Sequence, residues 1–133
     1  MGKKVILIVE DEANIREVYS EVLKTDYDVI ESSDGEDGLV KAMEGKWDLM
    51  LLDIMLPKRD GLEILSRIKK DVILKGKPVV LLTNLGRDSI IKEGYNLGAS
   101  GYLVKSEINP GDVAATVRRI LEEVQNDQIS GSV

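Results

Sequence analysis

The sequence predicts an α/β domain, a parallel sheet covered by helices on both faces. Three observations predict it. Five short apolar runs recur along the chain, segments with helical apolar spacing separate them, and four of the runs are near-continuous, as strands buried on both faces should be. Strand–helix alternation repeated five times requires parallel strands joined by right-handed crossovers.

Taken in order, Val5-Ile6-Leu7-Ile8-Val9 reads as the first strand. Ile15, Val18, Tyr19, Val22 and Leu23 then fall at i, i+3, i+4, i+7 and i+8, one stripe of an amphipathic helix. Tyr27-Asp28-Val29-Ile30 is a more mixed strand that suits a sheet edge. A helix start at Ser33-Asp34 precedes the stripe Leu39, Ala42 and Met43. Leu49-Met50-Leu51-Leu52 is the third strand, and Ile64, Leu65 and Ile68 form the next stripe behind Asp60-Gly61. Val79-Val80-Leu81-Leu82 is the fourth strand. A helix over about residues 87–96 follows despite internal Gly94, which costs about 1 kcal/mol relative to alanine. Tyr102-Leu103-Val104 is the fifth strand. Asn109 and Pro110 read as N-cap and first helical position, ahead of Val113, Val117, Ile120, Leu121 and Val124. From about Gln125 the chain turns polar, which predicts one domain over residues 1–125 and a polar tail or linker remnant over 126–133.

Composition narrows the chemistry. The 133 residues hold no cysteine and no histidine, and 18 basic side chains face 24 acidic ones, a net charge of −6. Disulfides, thiolate or imidazole metal sites, and Ser-His-Asp or Cys-His machinery are therefore excluded. The acidic balance argues against this domain gripping nucleic acid directly. The longest early apolar run, Val5–Val9, is far too short for a membrane span or a signal-peptide core, so a cytoplasmic protein without membrane contact is expected.

Ligands of open parallel sheets gather outside the carboxyl ends of the strands. Glu10, Asp11 and Glu12 follow the first strand, Asp53 the third, Thr83 and Asn84 the fourth, and Lys105 and Ser106 the fifth. Two carboxylates ~5 Å apart at an effective dielectric of ~20 repel by about 3 kcal/mol, and three such pairs approach ~10 kcal/mol. A cation relieves that strain, and hard oxygen ligands without soft donors suit Mg²⁺. Lys105 adds a second positive charge and Thr83 a hydroxyl donor. The set suits transfer of a phosphoryl group onto a carboxylate oxygen.

Val9-Glu10-Asp11-Glu12, Leu52-Asp53-Ile54-Met55-Leu56-Pro57 with Asp60-Gly61, Leu82-Thr83, Gly98-Ala99 and Tyr102-Leu103-Val104-Lys105 stand in order at these strand ends. Over about residues 3–125 the chain resembles the receiver domain of two-component response regulators. The resemblance implies a CheY-like, flavodoxin-like (βα)5 three-layer sandwich with strand order 2-1-3-4-5. It implies that Asp53 accepts a phosphoryl group from a phosphohistidine on a histidine kinase or phosphotransfer protein. Asp11, Asp53 and the backbone carbonyl of Met55 would ligate Mg²⁺, with Glu10 acting through a metal-bound water. Thr83 and Lys105 would contact the phosphoryl oxygens, and Thr83 and Tyr102 would switch a partner face built from the fourth helix, fifth strand and fifth helix. The domain would be a phosphoacceptor that assists its own modification, not an enzyme with turnover. Its partners would be that kinase, a downstream protein or fused output domain and, through the fourth and fifth helices, a phosphorylation-dependent dimer.

Each residue has a plainer reading. Glu10, Asp11 and Glu12 could open a helix, where negative charge favours the dipole. Asp53 could end a strand, Thr83 could be structural, Lys105 a solvated lysine and Tyr102 edge packing. Three departures from the family pattern stand out: Glu10 for the commoner aspartate, Asn84 with Leu85 where a small residue is common, and Ser106 for a proline in a cis bond. A non-proline cis bond costs about 2.5–4 kcal/mol, so a trans or strained Lys105–Ser106 bond is expected. Met55, Asn84 and Leu85 are bulky enough to hinder water attacking an acyl phosphate. Two other functions compete. One is a pseudo-receiver binding proteins without phosphorylation; the other is a haloacid-dehalogenase-type phosphohydrolase, disfavoured because Met55 stands where that family has a second Asp. A flavin site is opposed by Glu10-Asp11-Glu12 after the first strand, and no P-loop motif is present.

Overall fold

A computed structural model describes residues 2–84, 88–107 and 109–131 of the chain, with 127–131 as helical backbone alone. Its order is β1 (Val5–Val9), α1 (Ala13–Leu23), β2 (Asp28–Ser32), α2 (Gly35–Glu44), β3 (Leu49–Asp53), α3 (Gly61–Lys70), β4 (Val79–Thr83), α4 (Asp88–Leu97), β5 (Gly101–Val104) and α5 (Pro110–Gly131). The strands pair in parallel in the order β2-β1-β3-β4-β5, the expected arrangement.

The two-residue period of a strand splits the core into two layers. Leu7, Val9, Met50, Leu52, Val79 and Leu81 face Ala42, Ile64, Leu65 and Ile68 from α2 and α3. Ile6, Ile8, Leu49, Leu51, Val80, Leu82 and Leu103 face Tyr19 and Leu23 of α1 and Val113, Val117 and Ile120 of α5. β3 and β4 are buried along their whole length, whereas β2 is mostly half-buried, as an edge strand should be.

Caps start three of the helices. Asp34 Oδ1 accepts from the Asp37 N–H at 2.8 Å, Asp60 Oδ1 from Leu62 at 2.9 Å and Asn109 Oδ1 from Asp112 at 3.0 Å. Gly94, costly by propensity, is where α4 lies against the sheet: a Cβ there would run into Leu81 Cδ1. Gly61 does the same beside the acidic strand end, where a Cβ would strike the carbonyl oxygen of Asp53.

The structure corrects several boundaries. β2 ends at Ser32, two residues past Ile30, because the parallel ladder with β1 runs to the Val9–Ser32 pair whatever the polarity of Glu31 and Ser32. α4 spans Asp88–Leu97, and Arg87 and Leu85 lie outside the described residues. α5 is helical from Pro110 through Gly131. Among the described residues no peptide bond is cis, so Lys105–Ser106 is trans, and no helix is long and apolar enough to cross a membrane.

Candidate functional site

β1 and β3 lie side by side, with Val9 opposite Leu52. The residues that follow or end them, Glu10, Asp11 and Asp53, therefore share one rim of the sheet. Carboxylate oxygens of these three lie within 4.8 Å of one another. Glu10 and Asp53 are buried, whereas Asp11 is exposed. β4 and β5 complete the rim: Thr83 is opposite Val104, and the Lys105 N–H donates to the Thr83 carbonyl at 2.7 Å.

Lys105 reaches the acids. Its Nζ lies 2.9 Å from Glu10 Oε1, 3.2 Å from Glu12 Oε1 and 3.3 Å from Asp53 Oδ2, with the lysine side chain only 2% exposed. The trans bond at Ser106 does not limit that reach. Instead Ser106 Oγ donates to the Asn84 carbonyl at 3.1 Å, tying together the turns that follow β4 and β5. Asp53 Oδ1 accepts the Met55 N–H at 3.1 Å, and Glu10 Oε2 accepts the Glu12 N–H at 3.0 Å. The Met55 side chain points outward, exposed beside the acids.

Four carboxylates around one ammonium leave an excess of negative charge. Burial, then the Glu10 charge and hydrogen bonds with Asp11 and Glu10, push Asp53 up to about 8, with Lys105 only partly opposing. Burial also acts to raise Asp11, but hydrogen bonds with Asp53 and Glu10 outweigh it and hold this carboxyl below its usual range. In Lys105 burial disfavours the cation, yet Glu10 and Asp53 overcome that and raise the ammonium well above the ordinary lysine value. Without a further cation, then, Asp53 tends to keep a proton. The donor set is all oxygen, compact and partly open to solvent at Asp11. It fits a small hard divalent cation that retains several waters.

Of the residues singled out in the sequence, Glu10, Asp11, Asp53 and Lys105 come together side chain to side chain. Thr83 and Met55 join them through the strand end and the backbone. Tyr102 stands apart on β5, half-exposed, its ring packed edge-on against Tyr95 of α4 with centroids 6.1 Å apart. Glu12, placed by the sequence at the same strand end, shares Lys105. One contributor carried no signal in the sequence: Arg16 of α1 donates from Nη1 to the Glu10 carbonyl at 2.8 Å. A helix residue off the apolar stripe looks like any solvated charge. A groove of about 1010 Å³ runs from Asp11 and Met55 between α3 and α4, past Leu62, Ile90 and Glu93.

Comparison with known proteins identifies the family. The response regulator receiver domain family matches residues 6–118. The alkaline phosphatase synthesis transcriptional regulatory protein PhoP of Bacillus subtilis is 32% identical over 142 residues, covering 100% of this chain and 58% of that protein. Among solved structures, a CheY-like receiver domain protein from Methanospirillum hungatei JF-1 has a TM-score of 0.87 at 28% identity, covering 95% of this chain and 99% of that one. The response regulator DrrB, an OmpR/PhoB homologue from Thermotoga maritima, has a TM-score of 0.80 at 35% identity, covering 91% and 54%. The chain spans about half the length of the curated relatives it matches.

Proposed function

Because the chain belongs to the response regulator receiver domain family, we propose that Asp53 is its phosphoacceptor, taking a phosphoryl group from a phosphohistidine of a partner histidine kinase or phosphotransfer protein. The observation that carries this reading is the burial of Asp53 among Glu10, Asp11 and Lys105 at one strand-end rim. Asp11, Asp53 and the Met55 carbonyl would hold Mg²⁺, with Glu10 bonding a metal-bound water. When bound, the ion supplies positive charge opposite the phosphoryl oxygens and favours the ionised nucleophile.

The chain's own residues do the rest. The Met55 N–H orients the Asp53 carboxylate, which attacks phosphorus from an oxygen lone pair. The phosphorus–nitrogen bond breaks, and the imidazole leaves with its electron pair. Lys105 then exchanges carboxylate contacts for phosphoryl oxygens, and Thr83 donates its hydroxyl to the same group. Any conformer that makes these bonds better gains population. The β4–β5 rim leads from Thr83 to Tyr102 and so to the α4–β5–α5 face, which meets a downstream protein, an output domain or a second copy. The domain is a phosphoacceptor rather than a turnover enzyme, it acts in the cytoplasm, and it does not grip nucleic acid itself.

Incubation with acetyl phosphate and MgCl₂, followed by intact-mass analysis, tests the proposal. One phosphoryl adduct in the wild type and none in Asp53→Asn is expected. No adduct, and no amide shifts with beryllofluoride, would favour a receiver that binds partners without phosphorylation.

A further inference from the structure

Glu10 sits one residue past β1. Its N–H donates to the Ser32 carbonyl of β2 at 3.0 Å, the last rung on that side. Its carbonyl is taken by Arg16, whose Nη1 donates at 2.8 Å from the first turns of α1. The guanidinium is aimed by a carboxylate on the other side, since Arg16 Nε lies 3.4 Å from Glu31 Oε1. Glu31 is held in turn: Ser20 Oγ, buried on α1, donates to its Oε2 at 3.3 Å, and Lys41 Nζ donates to its carbonyl at 2.7 Å. The Glu10 peptide is thus gripped through both its N–H and its carbonyl, and its carboxylate accepts the Glu12 N–H.

We infer that Arg16 is a positioning residue for the candidate metal site, locking the Glu10–Asp11 turn so that both carboxylates face Asp53. The inference rests on the Mg²⁺ reading above. Arg16 touches neither Asp53 nor the oxygens that would meet the ion; it acts through the Glu10 carbonyl, while Glu31 orients its guanidinium. A buried carbonyl stripped of its donor turns toward another partner, and the carboxylates on the same turn move with it. Residues that orient ligands in this way alter metal affinity by about 10–100-fold when removed.

The sign of the effect separates positioning from simple charge. Removing a cation near an acidic site strengthens Mg²⁺ binding if charge is all that Arg16 supplies. Removing a positioning residue weakens it. Arg16→Lys keeps the charge but loses the two-pronged grip on Glu10 and Glu31.

Mg²⁺ affinity of the full chain is to be measured by calorimetry and amide NMR titration for the wild type, Arg16→Ala, Arg16→Lys and Glu31→Gln. Exchange of the Glu12 amide is followed in EDTA. The expected results are roughly tenfold weaker Mg²⁺ binding in Arg16→Ala, a smaller loss in Arg16→Lys and Glu31→Gln, and faster Glu12 exchange in all three. Should Arg16→Ala fail to fold, Arg16→Lys, which keeps the charge, carries the test together with Glu12 exchange. Variants that bind Mg²⁺ as tightly as the wild type, or more tightly, overturn this inference alone. A wild-type chain that takes up no Mg²⁺ overturns the reading of the site and this inference with it.

Discussion

Lys105 Nζ and Glu10 Oε1 are 2.9 Å apart, and both side chains are closed off from solvent. Breaking a buried pair by deleting one partner strands the other charge, at a typical cost of 3–5 kcal/mol. Lys105→Ala is therefore expected to destabilise the metal-free protein by about 3 kcal/mol, with a smaller loss in saturating MgCl₂. Urea unfolding with and without the metal checks it; equal losses in both would show that no cation substitutes for the ammonium.

Asp53 gives stability a pH dependence. Burial and the Glu10 charge raise its carboxyl to about 8 from an ordinary value of 3.8. Between those values the folded state keeps a proton that the unfolded state has released, so this group's contribution to stability falls as pH rises. The metal-free wild type should lose stability from pH 5 to pH 8, on the order of 2 kcal/mol from this group after relaxation. Asp53→Asn should flatten the slope and be the more stable protein at pH 8. The lowered Asp11 acts only below its ordinary value, outside this window. Urea midpoints across that range test it.

Divalent cation should bind the folded protein far better, because only folding brings Asp53 to Glu10 and Asp11. At about 100 times its dissociation constant, Mg²⁺ should then add about 2.7 kcal/mol. Asp11→Asn should lose most of that gain while changing the metal-free melting temperature little, since Asp11 is exposed. Thermal scans with MgCl₂ and with EDTA are the measurement.

Gly61 allows the start of α3 to lie against the last residue of β3. An alanine Cβ would meet the Asp53 carbonyl oxygen and the Ile54 Cα, both backbone atoms that cannot swing aside. Gly61→Ala should cost about 2 kcal/mol and shift the Asp53 and Met55 amides in NMR spectra. Wild-type stability would mean that the loop moves freely.

Bulk after the fourth strand bears on how long an acyl phosphate would last. Asn84 is exposed, and its turn is pinned by Ser106. Asn84→Ala should admit water and speed loss of the phosphoryl group, read by intact mass over time. An unchanged or slower rate would remove Asn84 from the barrier.

The five strands and their helices were legible in the sequence because periodicity is local: a run such as Leu49–Leu52 reports its own burial. The strand-end positions of Glu10, Asp11, Asp53, Thr83 and Lys105 followed from the same runs. Local spacing says nothing about partners far along the chain. Lys105 meets Glu10 across 95 residues and Asp53 across 52, in an order set by sheet register. Tertiary packing alone decided that Glu12 shares the ammonium, that Arg16 grips the Glu10 carbonyl, that Tyr102 meets Tyr95 edge-on and that burial beside Glu10 pushes the Asp53 carboxyl upward. Each of these depends on distance and solvent exclusion, which exist only once the strands lie side by side.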